Sequence, residues 1–293
     1  MEYSPFELTS IMYDRRRGWV RRSKKGDPDP RPATHSRIPG AKETGFTGGS
    51  FHIPQGDAED FLDAYIRALQ AGDANATKLN FTELHTAVGP VVVDLDFKWR
   101  GSDASHARAA TKQEVDAWAL EYASHIAEVV DLPGGSTFRA VVMPRPGDPV
   151  MDKDGDLKHG LHLVFPDVVT RPEVQHVIRK RALEGLSQLL EPLSHSNPVE
   201  KVVDEAVIQS AGWLLYGSRK PYGVVYKAER ITTYRVVQRG DGEGGGFGVE
   251  IAATEEPPLA SPGELVRLCS IRRSSEEACR GARSGFQPLV DRR

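Results

Sequence analysis

Asp94 and Asp96 are separated by a single residue in VVVDLDFKW, at the end of a β-branched run. In an extended strand, residues i and i+2 point the same way, about 6.6–6.8 Å apart. The two carboxylates therefore share one face, and Val93, Leu95 and Phe97 share the other. Two carboxylates on one face of an apolar strand repel each other and resist burial. A divalent cation resolves that conflict, because Mg²⁺ and Mn²⁺ favour carboxylate oxygens together with substrate phosphates. The competing reading is a pair of aspartates at a solvent-exposed strand end, and a DxD alone does not separate the two.

Further polar residues follow at intervals. In KHGLHLVFP, Leu161, Leu163 and Phe165 point to one side, which puts His162 on the other with Gly160, and Lys158 lies at the same polar end. Gly160 leaves room for close approach of a ligand or backbone. Asp204, in VEKVVDEAV, follows two valines and emerges from a strand or a strand–helix junction. Three carboxylates suffice for two cations about 3.5–4 Å apart, one at an attacking 3′-hydroxyl and one at a leaving pyrophosphate. Ser218, Arg219 and Lys220 form a small basic turn, GSRKP, of a kind that suits a triphosphate. Each has a plainer counterpart: a lone histidine is commonly structural, and GSRKP alone is commonly a hairpin turn. Asp152, Asp154, Gly155 and Asp156 in DKDGD resemble the start of a calcium loop. The twelfth position, where such a loop needs Glu, is Leu163. An exposed acidic hairpin turn is expected there.

The elements that must hold these residues are marked by periodicity. Phe61, Leu62, Tyr65, Ile66 and Leu69 have helical spacing over 57–71, with acidic residues in the first turn. Residues 90–97 read as a strand. A helix is predicted over 111–130, with Thr111 and Glu114 at capping-box spacing. Strands over 137–144 and 160–166 flank a turn-rich loop. A third helix follows over 171–190, with Thr170 and Glu173 as its capping pair and Pro172 in its first turn. Short strands are expected at 213–216, 222–227 and 231–237, then a Gly-rich linker from Gly240 to Gly248 and a charged tail. The order α, β, α, β, β, α and then β-rich predicts an α/β or α+β domain ending near residue 240.

Bulk properties narrow the class. The chain has 293 residues, 39% apolar and 27% charged, with a net charge of −3, as an ordinary globular protein would. Apolar runs fall well short of the ~20 residues that cross a bilayer, and the N-terminus lacks the pattern of a secretory signal. Cys269 and Cys279 fit neither a zinc site nor a disulfide framework, so a soluble intracellular protein without structural zinc is expected. Arg15, Arg16, Arg17, Arg21, Arg22, Lys24 and Lys25 make a dense basic leader over residues 1–30. It could lie along DNA phosphates or simply be a solvated arm.

Taken together, DLD, then KHGLH, then Asp204 with YGSRK resemble the three-motif signature of the archaeo-eukaryotic primase superfamily. THS at 34–36, GGSFHIP, TELH and LVRLCSIRR extend the likeness over roughly residues 30–275, toward primases of large DNA viruses and mobile elements. The resemblance implies an α+β fold in which an N-terminal α/β part packs on an RRM-like antiparallel sheet, with the active site in the cleft between them. It implies a primase-polymerase catalytic domain over 31–240 that makes or extends primers from nucleoside triphosphates on single-stranded DNA. Asp94, Asp96 and Asp204 would bind Mg²⁺ or Mn²⁺, and His162 would contact the nucleotide phosphate. Lys158 and Lys220 resemble triphosphate-binding lysines, with Gly160, Ser218 and Arg219 beside them. The group commonly carries a C-terminal superfamily 3 helicase, so residues 241–293 would be a linker and tail leading to such a region in a longer protein. Two features depart from the pattern: Gly160 stands where a small Ser is usual, and there is no Cys/His zinc module.

Two other functions compete. A catalytically silent DNA-binding module of a helicase would need the basic leader but not the carboxylates. A rolling-circle replication endonuclease needs a histidine–hydrophobe–histidine pair on one face. His159 and His162 are three residues apart, which strand alternation sends to opposite faces.

Overall fold

The structure is a computed structural model that describes residues 6–21, 30–38, 48–71, 79–220, 223–239, 246–255, 260–272 and 279–291. Arg22, Lys24 and Lys25 of the basic leader, Pro221, and residues 240–245 of the Gly-rich stretch lie outside the described residues. In chain order the elements are α1 (Phe6–Tyr13), β1 (His35–Arg37), β2 (Gly49–Phe51), α2 (Ala58–Gln70), β3 (Phe81–Glu83) and β4 (Gly89–Trp99). Next come α3 (Lys112–Val129), β5 (Thr137–Pro144), β6 (Val150–Met151), β7 (Leu157–Thr170), α4 (Pro172–Leu190), α5 (Val199–Val202) and α6 (Ala206–Gln209). The last are β8 (Trp213–Leu214), β9 (Arg230–Arg239), β10 (Gly246–Glu255), α7 (Pro262–Cys269) and α8 (Gln287–Val290). The class is α+β with antiparallel sheets.

The chain divides into two compact units. The first comprises Met1–Thr86, Ala211–Lys227 and Ala260–Ser274. Its sheet has the order β2-β1-β3-β8. Phe61 and Tyr65 of α2, with Trp19, Phe51 and Phe81, form its aromatic core. Their edge contacts, such as Tyr65 on Phe81 at 6.1 Å, add to the area they bury. The THS, TELH and LCS segments meet in a buried polar network. Glu83 accepts from Ser270 Oγ and from the Ile271 N–H, each at 2.7 Å, and His35 Nε2 lies 3.8 Å from the same carboxylate.

The second unit comprises Ala87–Ser210, Ala228–Leu259 and Ser275–Arg293. Its sheet has the order β10-β9-β5-β7-β4, with β6 paired to β7. Val93, Leu95, Phe97 and Trp99 of β4 share one core with Trp118, Tyr122 and Ile126 of α3 and with Val174, Ile178 and Leu186 of α4. Both long helices therefore cover one face of the sheet. The Thr111–Glu114 capping box is complete, as the sequence predicts.

Several expectations change. The N-cap position of α4 falls on Arg171 rather than Thr170, with no side-chain cap hydrogen bond, because Pro172 occupies the first helical position. Thr170 Oγ1 is buried with no hydrogen-bond partner among the described residues. The described part of 222–227 contains no strand, and the strand expected at 213–216 is only Trp213–Leu214. Gly246–Glu255, expected as linker and tail, is a ten-residue strand paired with β9 from Gly246↔Arg239 to Glu255↔Ile231. Among the described residues, no helix is long and apolar enough to cross a membrane.

Candidate active site

β4 and β7 run antiparallel with Asp94 opposite His162, Asp96 opposite Gly160 and Lys98 opposite Lys158. Directly opposed residues of an antiparallel ladder share a face. One face of this strand pair therefore carries two aspartates, a histidine, a glycine and two lysines. The intervening Leu95, Phe97 and Leu161 join the core with the helices, and His159 stands opposite Phe97. Asp96 is exposed and Asp94 partly so, while His162 is buried with Nε2 3.5 Å from Asp94 Oδ1. Burial of the flanking valines and leucines fixes the register, since a slip of one residue would turn the carboxylates into the core.

The outer edge of β4 is not left open. The Asp204 N–H donates to the Asp94 carbonyl at 2.9 Å, next to an isolated bridge between Val203 and Leu95. The Asn197 side chain donates from Nδ2 to the Asp96 carbonyl at 2.8 Å and accepts from the Lys98 N–H at 3.0 Å. Ser196 completes the row, its N–H on the Lys98 carbonyl at 2.7 Å and its Oγ accepting from the Arg100 N–H at 2.8 Å. The segment 196–204 thus works as an irregular partner strand, and it carries Asp204 to the backbone of Asp94. Asp204 sits between α5 and α6, where its Oδ1 accepts from the Ala206 N–H at 3.0 Å. It also lines an open cleft of about 600 Å³ with His176, Arg179, Lys201 and Gln209.

Carboxylates are the donor type that Mg²⁺ and Mn²⁺ take. Asp94, Asp96 and Asp204, on adjacent backbone and reachable from solvent, suit such an ion by chemistry. Among the described residues, no group of three or more His, Cys, Asp or Glu side chains is drawn close enough together to hold one.

Lys158 is already engaged. Its Nζ lies 2.6 Å from Asp152 Oδ2. That hydrogen bond holds the Asp152 carboxyl down at about 2 and raises the Lys158 ammonium, with Asp96 adding to the second effect. The DKDGD segment is a hairpin turn, as expected: Asp152 Oδ1 accepts from the N–H groups of Asp154 and Asp156 at 2.9 and 3.0 Å, and Gly155 has φ +82°.

The GSRKP turn belongs to the first unit. Gly217 has φ +85°, a backbone conformation that favours glycine, and a Cβ there would also press on the tip of the Leu69 side chain at 2.6 Å. The Ser218 hydroxyl is buried, accepting from the Phe81 N–H at 3.0 Å and lying 2.9 Å from the Tyr65 hydroxyl. It anchors the turn to β3, whereas Arg219 is half-buried and Lys220 exposed. In the leader, Arg17 donates to Asp60 at 2.8 Å and lies over the Trp19 ring, and Arg21 donates to Ser50 Oγ. Arg15 and Arg16 are exposed, Arg16 bonding to Asp14 within its own turn.

His159 and His162 do point to opposite faces. His159 is buried, with Nε2 3.0 Å from the Gly147 carbonyl, and burial lowers its pKa. Sequence reasoning missed Asn197 and Arg179. The Asn197–Pro198 dipeptide signals a turn, but no local pattern reveals an amide bonded to a strand about 100 residues away.

The second unit is thus an α+β unit with paired carboxylates and a histidine on one sheet face. Comparison with known families matches residues 42–232, well over half of the chain, to the C962R protein N-terminal AEP domain. The chain belongs to this family of archaeo-eukaryotic primase domains. It is also 33% identical over 177 residues to the "Putative helicase L207/L206" of Acanthamoeba polyphaga mimivirus, a match covering 59% of this chain and 17% of that protein. The chain thus corresponds to only a small part of that relative's length.

Proposed function

We propose that this chain is the catalytic domain of a DNA primase or primase-polymerase, acting on single-stranded DNA in the replication of a virus or mobile element. One observation carries the reading: Asp94 and Asp96 share a sheet face with His162, and the Asp204 N–H bonds the Asp94 carbonyl. Membership of the primase-domain family supports it, and the helicase description of the mimivirus relative supports a helicase partner in the same polypeptide or complex.

Asp94, Asp96 and Asp204 would hold Mg²⁺ or Mn²⁺, which supplies positive charge to the triphosphate and the 3′-hydroxyl. In the reaction, the 3′-oxygen forms a bond to the α-phosphorus as the bond to the β-phosphate oxygen breaks and pyrophosphate leaves. The hydroxyl proton passes to water or a carboxylate. His162 would orient the incoming phosphates from the face it shares with Asp94, with the Gly160 backbone beside it. Lys158 would add charge once exchanged from Asp152 to phosphate. Arg219 and Lys220, on the other unit, enter the proposal through the family resemblance alone, as do Arg15 and Arg16 for DNA. Ser218 is not carried forward, because its hydroxyl is satisfied within the fold. An RRM-like character for the second unit is part of the proposal, supported by the succession β4, α3, β5, β7, α4 and β9, with the short β6, α5 and α6 set between them, and by its long helices on one face.

Calorimetric titration with a nucleoside triphosphate, with and without Mg²⁺, tests the reading. Binding that requires the ion and disappears in Asp94→Ala supports catalysis. Single-stranded DNA binding without any metal-dependent triphosphate binding would identify a silent DNA-binding module instead.

A further inference from the structure

Arg179, on α4, is buried at 8% exposure, yet its short hydrogen bonds all go to main-chain carbonyls. Nε and Nη2 donate to the Val203 carbonyl at 3.0 and 2.8 Å, and Nη2 also donates to the Glu200 carbonyl at 2.7 Å. The Glu205 carboxylate lies 3.8 Å from Nη1, beyond hydrogen-bond distance. A buried guanidinium needs such partners, and the carbonyls need it equally. Helix α5 is a single turn, too short to sustain itself, and the end of a helix leaves carbonyls unsatisfied. Val203 bridges to Leu95, and the next residue is Asp204. At the other end of the segment, Asn197 is buried and uses both amide atoms on the backbone of Asp96 and Lys98.

We infer that Arg179 and Asn197 are positioning residues that clamp segment 196–204 along the edge of β4 and so hold Asp204 in register with Asp94 and Asp96. Neither would touch substrate; each acts through backbone. The consequence for metal binding rests on the function proposed above, whereas the consequence for backbone protection does not.

The test uses the full chain and the variants Arg179→Met, Arg179→Lys and Asn197→Asp, the last replacing the amide donor by an acceptor. Amide hydrogen exchange is read without metal or nucleotide, and Mn²⁺ binding is followed by electron paramagnetic resonance. In Arg179→Met, exchange over 199–206 rises by about tenfold or more, as expected for loss of buried hydrogen bonds, while α3 keeps its protection. The Mn²⁺ dissociation constant rises by about the same factor. Arg179→Lys, with a point charge in place of a fork, falls between the two. Asn197→Asp loosens 94–98 in the same way. Unchanged exchange in both Arg179→Met and Asn197→Asp would overturn the clamp, as would faster exchange with Mn²⁺ affinity intact. If Arg179→Met loses protection everywhere, the milder Arg179→Lys decides by the same two readings. Absence of Mn²⁺ binding in the wild type would instead count against the proposed function, and exchange alone would then decide the clamp.

Discussion

Asp94 Oδ1 and His162 Nε2 lie 3.5 Å apart across β4 and β7, on a pair of residues that are directly opposed in the ladder. The two residues stay opposed as long as the register holds, and the register is fixed by Val93, Leu95, Leu161 and Leu163 on the other face. On the proposed function, His162→Ala removes a phosphate contact and spares the carboxylates. Its KM for nucleotide rises by about tenfold or more, the loss of one charge-assisted hydrogen bond, while the fold is kept. Steady-state kinetics check this, and unchanged KM and turnover would remove His162 from the site.

Phe97 lies one residue beyond Asp96 and faces the core, 5.4 Å from Trp118 and 6.1 Å from Trp99 between ring centres. Phe97→Ala destabilises the second unit by about 3–5 kcal/mol. Urea unfolding measures the loss, and a change below about 1 kcal/mol would mean that the strand is not packed in this way.

Glu114 closes the capping box of α3 and accepts from Arg108 at 2.8 and 2.5 Å. The Arg108 hydrogen bond, assisted by those from Thr111, holds its carboxyl at about 2 against an ordinary value of 4.5. A depressed carboxylate stabilises the fold fully above its unfolded value and loses that contribution as pH falls through the folded one. The stability gap between wild type and Glu114→Gln is therefore constant above about pH 4.5 and closes toward pH 2. Urea midpoints at a series of pH values check this; a gap that persists unchanged at pH 2 would contradict it.

Glu83 is buried at 1% exposure. Burial works to raise its pKa, but the neighbouring His35 ring and the hydrogen bonds from Ser270 and the Ile271 N–H outweigh it and keep the pKa below the ordinary value. Ser270→Ala leaves part of a buried carboxylate unsatisfied and costs about 1–3 kcal/mol. Thermal unfolding reads the cost. No change in midpoint would show that the segment after α7 does not depend on this bond.

What was legible in the sequence is what local periodicity encodes. Alternation put Asp94 with Asp96 and His162 with Gly160, and the Thr111–Glu114 spacing marked the start of α3. The cross-strand partnership of Asp94 with His162 was not legible, because register depends on which apolar rows meet in three dimensions. Asn197 and Arg179 act on backbone far away in the chain, and neither leaves a periodic trace. Strand β10 was hidden because most of its residues are exposed on both faces, so the alternation that marks a half-buried strand is absent. Ser218 looked available to phosphate from its basic neighbours, whereas Tyr65 and Phe81, more than 130 residues away in the chain, occupy its hydroxyl.

Primer synthesis on single-stranded DNA, with labelled ribo- and deoxynucleotides supplied separately with Mg²⁺ or Mn²⁺, tests the central claim most directly. The account predicts incorporation by the wild-type chain and none by Asp94→Ala or Asp204→Ala, both of which remain folded and still bind DNA. Incorporation by both variants at the wild-type rate would contradict it.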